Sequence, residues 1–173
     1  MPQGRILRIL TRMNGITGDK NMNSRDKKEM EMALVAGAKA RNFSLMEKIL
    51  GMGINPNSCI SGVSVLHMAV VMDDCGLAGW LASRGASANT CDKSGQTPLH
   101  YAVARNNPVL ALNLMEIGGD ILAQDKKNRT PLELAPNGDV VAFLKKMADV
   151  RSSRMAREKA AGHMPSPAPA PRA

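Results

Sequence analysis

Leucines return every 33 residues through the middle of this chain, at Leu66, Leu99 and Leu132, each inside a stretch with the same order of polar and apolar positions. The stretches are Ser64-Val65-Leu66-His67-Met68-Ala69, Thr97-Pro98-Leu99-His100-Tyr101-Ala102 and Thr130-Pro131-Leu132-Glu133-Leu134-Ala135. A leucine and an alanine spaced i, i+3 share one face of a helix. Thr97 can cap that helix by accepting from an unpaired backbone N–H. Pro98 then stands at the first helical position, where its missing donor costs nothing. Sixteen residues after Ala69 and Ala102 come Gly85 and Gly118, and the second closes the run Pro108–Met115. That run is apolar on most faces, as in a helix packed between neighbours. Asp92-Lys93-Ser94-Gly95 and Asp125-Lys126-Lys127-Asn128 read as turn tips. The pattern predicts a repeated unit of helix, turn, helix and extended finger.

Self-similarity at this period marks a stack of repeats. The three hexapeptides and their aligned glycines resemble the ankyrin-repeat family over residues 32–148, strongly in the third copy and partially in the outer two. Gly53-Ile54-Asn55-Pro56-Asn57 ends the first copy and places Leu34 at the leucine position. The first offset is therefore 32, one residue short between Asn57 and Leu66. In the fourth copy Pro136 follows Ala135 directly, which should cut its first helix short.

The resemblance implies an all-α solenoid of stacked helix-turn-helix units with hairpin finger loops. The domain would run over 26–148, with repeats at about 26–58, 59–91, 92–124 and 125–148. A basic segment, 1–25, precedes it, and a charged helical extension with a Pro/Ala-rich tail, 149–173, follows. His67 and His100 would be structural, hydrogen-bonding adjacent units. The family usually binds other proteins and does no chemistry itself. Its concave face, made of finger tips and first helices, would offer Met68, Val71 and Met72 from the second copy. The third would offer Lys93, Ser94, Gln96, Tyr101 and Arg105, and the fourth Lys126, Lys127, Arg129 and Leu134. Such a face has an apolar centre edged by positive charge and suits an acidic protein partner. Met68 and Tyr101 are equally open to the plainer role of covering the stack.

Aromatic residues are only 2% of the chain, so the core must be aliphatic, aided by 13 methionines. Methionine fills gaps but specifies packing weakly. With about four repeats, near the minimum for a stack, modest stability is expected. The net charge of +8 lies in the flanks: +3 over 1–32, −1 over 33–125 and +6 over 126–173. Nucleic-acid association through those flanks is a weaker reading, because stacking aromatics are nearly absent. There is no apolar run long enough for a membrane span. Cys59, Cys75 and Cys91 are odd in number and fit a reducing, cytoplasmic setting. An exported effector, or a membrane-surface adaptor, is the alternative.

That alternative rests on the N-terminus. Ile6, Leu7, Ile9, Leu10 and Met13 fall on one helical face and Arg5, Arg8 and Arg12 on the other. The segment is open to docking on an anionic membrane, to organelle targeting, to a partner groove, or to packing as a short helix on the first repeat. Asn14–Lys28 reads as a linker, with Asp26 and Glu29 as a capping pair for the first helix. At the other end Val140–Lys159 reads as one helix with Val141, Leu144, Met147 and Ala148 inward, solvated past Asp149. Pro165–Ala173 reads as an extended tail.

Catalytic chemistry is not indicated. No carboxylate or cysteine stands at nucleophile–base spacing from either histidine. Cys59 and Cys91 should stack on successive fingers, beyond comfortable disulfide reach, and no Cys-x2-Cys spacing marks a metal site. Gly51-Met52-Gly53 lacks the strand and helix of a phosphate loop. Asp73-Asp74 reads as a solvated turn. The expectation is a monomer with no cofactor, no metal and no small-molecule substrate.

Overall fold

The computed structural model describes residues 24–161. The amphipathic N-terminal pattern, His163 and the Pro/Ala-rich tail lie outside the described residues. The elements are α1 (Ser24–Lys39), α2 (Phe43–Gly51), β1 (Cys59–Ile60), β2 (Val63–Ser64), α3 (Val65–Val71) and α4 (Cys75–Ser83), followed by α5 (Pro98–Ala104), α6 (Pro108–Glu116), a 3-10 turn (Pro131–Leu134) and α7 (Gly138–Ala161). Each helix pair packs on itself. The first members, α1, α3, α5 and the 3-10 turn, touch in that order as an inner row. The second members α4, α6 and α7 form an outer row. On that side the Phe43 ring meets Trp80 edge-on at 5.3 Å.

The repeat leucines Leu34, Leu66 and Leu99 are buried, with Ala69 and Ala102 beside them. Leu132 is only half-buried. Pro136 drives Ala135 into an extended conformation (φ −64, ψ 130), so the fourth inner element stops as a single 3-10 turn. The missing residue in the first spacing also has a structural outcome. The first finger closes as a two-residue hairpin, Ser61 and Gly62 both at positive φ, pairing Cys59 with Ser64 and Ile60 with Val63.

Inner and outer helices are joined by single left-handed residues, Arg41, Asp73 and Asn106. Aspartate and asparagine tolerate this conformation. Arg41 gains an ion pair with Asp74 of the next repeat, its Nε donating at 2.7 Å. One turn further, Asn107 donates to Asp73. Asp74 is therefore not the solvated turn acid of the sequence reading. It is buried, caps α4 through the Leu77 N–H, and ties two repeats together.

Two further features differ from expectation. Residues 24–28 are helical, as part of α1, so the linker reading fails for them, and Asp26 lies within the helix. In α7 the buried residues are Val140 and Leu144, with Val141 only half-buried. Among the described residues no helix is long and apolar enough to cross a membrane.

Candidate functional site: the finger face

The long fingers are built on two aspartates. Asp92 Oδ1 accepts from the Ser94 and Gln96 N–H groups at 2.7 and 2.8 Å. Asp125 Oδ1 accepts likewise from Lys127 and Arg129 at 2.8 and 3.0 Å. Each carboxylate has a second oxygen to satisfy. For Asp92 the donor is the Tyr101 hydroxyl at 2.8 Å. Leu134 holds the equivalent place in the next repeat and has no hydroxyl. There the Arg129 guanidinium folds back instead, Nε and Nη2 donating to Asp125 Oδ2 at 3.0 and 2.8 Å.

These bonds set the charges. Burial alone would raise Asp92, but the Tyr101 hydroxyl and the Gln96 and Ser94 N–H groups outweigh it and hold the carboxyl below its usual range. Its hydrogen bond raises Tyr101 in turn. The Arg129 guanidinium holds Asp125 well below the ordinary carboxylate range.

His67 and His100 lie beneath the fingers, fully buried. Their Nε2 atoms face the Gln96 and Arg129 carbonyls of the following fingers, each at 3.0 Å. A carbonyl only accepts, so Nε2 carries the proton in both rings. Nδ1 of His67 then accepts from the Ser64 hydroxyl at 2.8 Å. Nδ1 of His100 accepts from the Thr97 N–H at 3.0 Å and lies 2.9 Å from Thr97 Oγ1. Tyr101 stands edge-on to His67 at 5.4 Å. In the fourth copy Glu133 stands exposed and folds back to accept from the Thr130 N–H of its own turn.

The lysines are arranged differently. A Cβ built on Gly62 would stand 2.6 Å from Lys93 Cδ, so the Lys93 stem lies across the tip of the preceding finger. A Cβ on Gly95 would stand 2.9 Å from the Lys126 backbone nitrogen and 3.2 Å from its Cγ, so the root of Lys126 sits against the next tip. The Lys126 N–H also donates to the Ser94 carbonyl at 3.0 Å, joining finger to finger. Lys93, Lys126 and Lys127 are exposed, and none forms an ion pair among the described residues.

Of the other residues singled out in the sequence, Met68 and Met72 are half-buried on the inner row, Gln96 is half-buried, and Ser94 and Arg105 are exposed. Arg129 is not the free edge cation the sequence suggested, because Asp125 holds it. Tyr101 is half-buried with its hydroxyl already used. The sequence reading missed an open cleft of about 870 Å³ beside the first finger, lined by Lys27, Lys28, Glu31, Met32, Ile60 and Lys93 among others. Taking the segment to Lys28 as a linker hid the lysine pair. Cys59, Cys75 and Cys91 are free thiols, and Cys59 Sγ lies 4.0 Å from the Cys91 carbonyl.

Residues 81–135 match the family model described as ankyrin repeats in many copies. Among solved structures 406 chains match. One is the ankyrin repeat domain of Bcl-3, described as a unique member of the IkappaB protein family. It is 26% identical, with a TM-score of 0.61 over 65% of this chain and 50% of that one, so this chain spans half that structure's length. No curated protein matches. Ankyrin repeats are generally protein–protein interaction modules. With the period, the paired helices and the fingers all in place, residues 81–135 are ankyrin repeats and the described stack has the ankyrin-repeat fold.

Proposed function

We propose that this chain is a non-enzymatic protein-binding module that holds an acidic partner on its face of fingers and inner helices. The carrying observation is an imbalance of free charge. Asp92 and Asp125 are occupied by donors of their own repeats, and Glu31 accepts from the Ser58 hydroxyl at 2.8 Å. Lys93, Lys126 and Lys127 on the same face have no such partner among the described residues. Apolar contact area comes from Met32, 55% exposed, and from Met68 and Met72. Methionine adapts its shape to a partner. The histidines offer no competing enzyme reading, since both are buried with both ring nitrogens engaged.

The test is a photo-reactive amino acid installed at Met68 or, on the outer row, at Val109. Irradiation in lysate should give a discrete cross-linked species from position 68 and none from 109. The reverse pattern would place the binding surface on the outer helices and refute the proposal.

A further inference from the structure

Resting on that reading of the finger face, we infer that Lys93 and Lys126 form a one-repeat ruler. It reads an acidic segment in polyproline-II conformation, with a carboxylate at every third residue. The two lysines hold the same place in successive fingers. Lys93 lays its stem across the tip glycine Gly62 of the finger before it, and Lys126 sets its backbone and Cγ against the equivalent Gly95, so an added side chain at either glycine would be crowded. Both positions have positive φ, 87° and 78°, which also favours glycine. The two lysine roots are thus set one repeat apart, the second also tied by its N–H to the Ser94 carbonyl.

Packed helices lie about 8–10 Å apart, which sets the step from one repeat to the next. A polyproline-II chain rises about 3.1 Å per residue with three residues per turn, so it advances about 9.3 Å before a side chain returns to the same side. An extended β-strand fails this match, because residues three apart point to opposite faces. The ruler continues at the near end into the cleft beside the first finger, lined by Lys27, Lys28 and Glu31, whose carboxylate accepts from the Ser58 hydroxyl. Met32 and Ile60 there provide an apolar floor for the residues between the acids.

The experiment uses the full chain and two fluorescein-labelled peptides of identical composition. One has four Glu-Pro-Pro triplets, the other four consecutive glutamates followed by eight prolines. Fluorescence anisotropy at low salt should show the spaced peptide binding about five- to tenfold more tightly, the scale expected of two exposed charge contacts. Lys93→Gln with Lys126→Gln keeps most of each stem and should erase that preference with the melting curve unchanged. Lys145→Gln with Lys146→Gln, on the outer helix, should leave it intact. Equal affinities for the two peptides, or a preference surviving Lys93→Gln with Lys126→Gln, would overturn the ruler. So would an oligothymidylate of equal charge that bound more tightly and was lost in the same double variant. Failure of every peptide to bind would also overturn it, while the broader reading of the face would stand or fall separately on cross-linking from position 68.

Discussion

The side-chain amide of Asn89 bridges to Gly118 in the next repeat: Nδ2 donates to the Gly118 carbonyl at 2.9 Å, while Oδ1 accepts from Asp120 N–H at 2.8 Å. Asn57 does the same one repeat earlier, to the Gly85 carbonyl and the Ser87 N–H. The equivalent residue in the next copy is Leu122, 71% exposed. It has nothing to fasten, because α7 runs on without another such loop. Asn89→Ala should therefore cost about 1–2 kcal/mol by urea denaturation. Leu122→Ala should stay within about 0.5 kcal/mol of wild type. Comparable losses at both sites would show that the bridge carries no stability.

Burial holds the His67 imidazole below its usual value of 6.5, more than the Gln96 carbonyl raises it. The unfolded chain therefore binds a proton more readily than the folded one. The stability His67 contributes is complete above its unfolded pKa and is lost as pH falls through the folded value. His67→Gln should be less stable at neutral pH, and it should lose less than wild type between about pH 7.5 and pH 5.5. Parallel pH profiles of the urea midpoint for the two proteins would contradict this.

Two glycines should respond to alanine in opposite directions. Gly95 has φ +78, and a Cβ there would lie 2.9 Å from the Lys126 backbone nitrogen. Gly95→Ala should destabilise by about 1–3 kcal/mol. Gly79 lies inside α4 with nothing within 4 Å of an added Cβ. Gly79→Ala should stabilise by about 0.5–1 kcal/mol through helix propensity. Thermal melts of the two variants read the sign directly.

Leu99 is fully buried between the inner helices, whereas Val109 on the outer row is 63% exposed. Leu99→Ala should cost about 2–5 kcal/mol, and Val109→Ala should stay within about 0.5 kcal/mol of wild type. A small loss at Leu99 would contradict the close packing of the inner row.

The period of 33, the helix start at Pro98 and the single shortened spacing were legible in the sequence, because each follows from residue type and offset alone. Pro136 announced the abbreviated fourth helix in the same way. The use of Arg129 was not legible. It follows from the absence of a hydroxyl at Leu134, five residues on, and becomes visible only when the finger and the next helix meet. Asp74 was misread for a related reason: its partner Arg41 is 33 residues away, and local pattern gives no sign of a bond between turns. The approach of each lysine to a tip glycine escaped too: Gly62 and Gly95 stand 33 apart, but the contact is made between neighbouring fingers and leaves no local pattern.

The central claim is that partners are held on the fingers and inner helices, and hydrogen–deuterium exchange of the protein with its cross-linked partner tests it most directly. Amides of 58–72, 89–105 and 122–134 should slow on complex formation, while α6 and the exposed part of α7 should exchange as in the free protein. Protection confined to 108–116 or 138–161, with the fingers unchanged, would contradict the account.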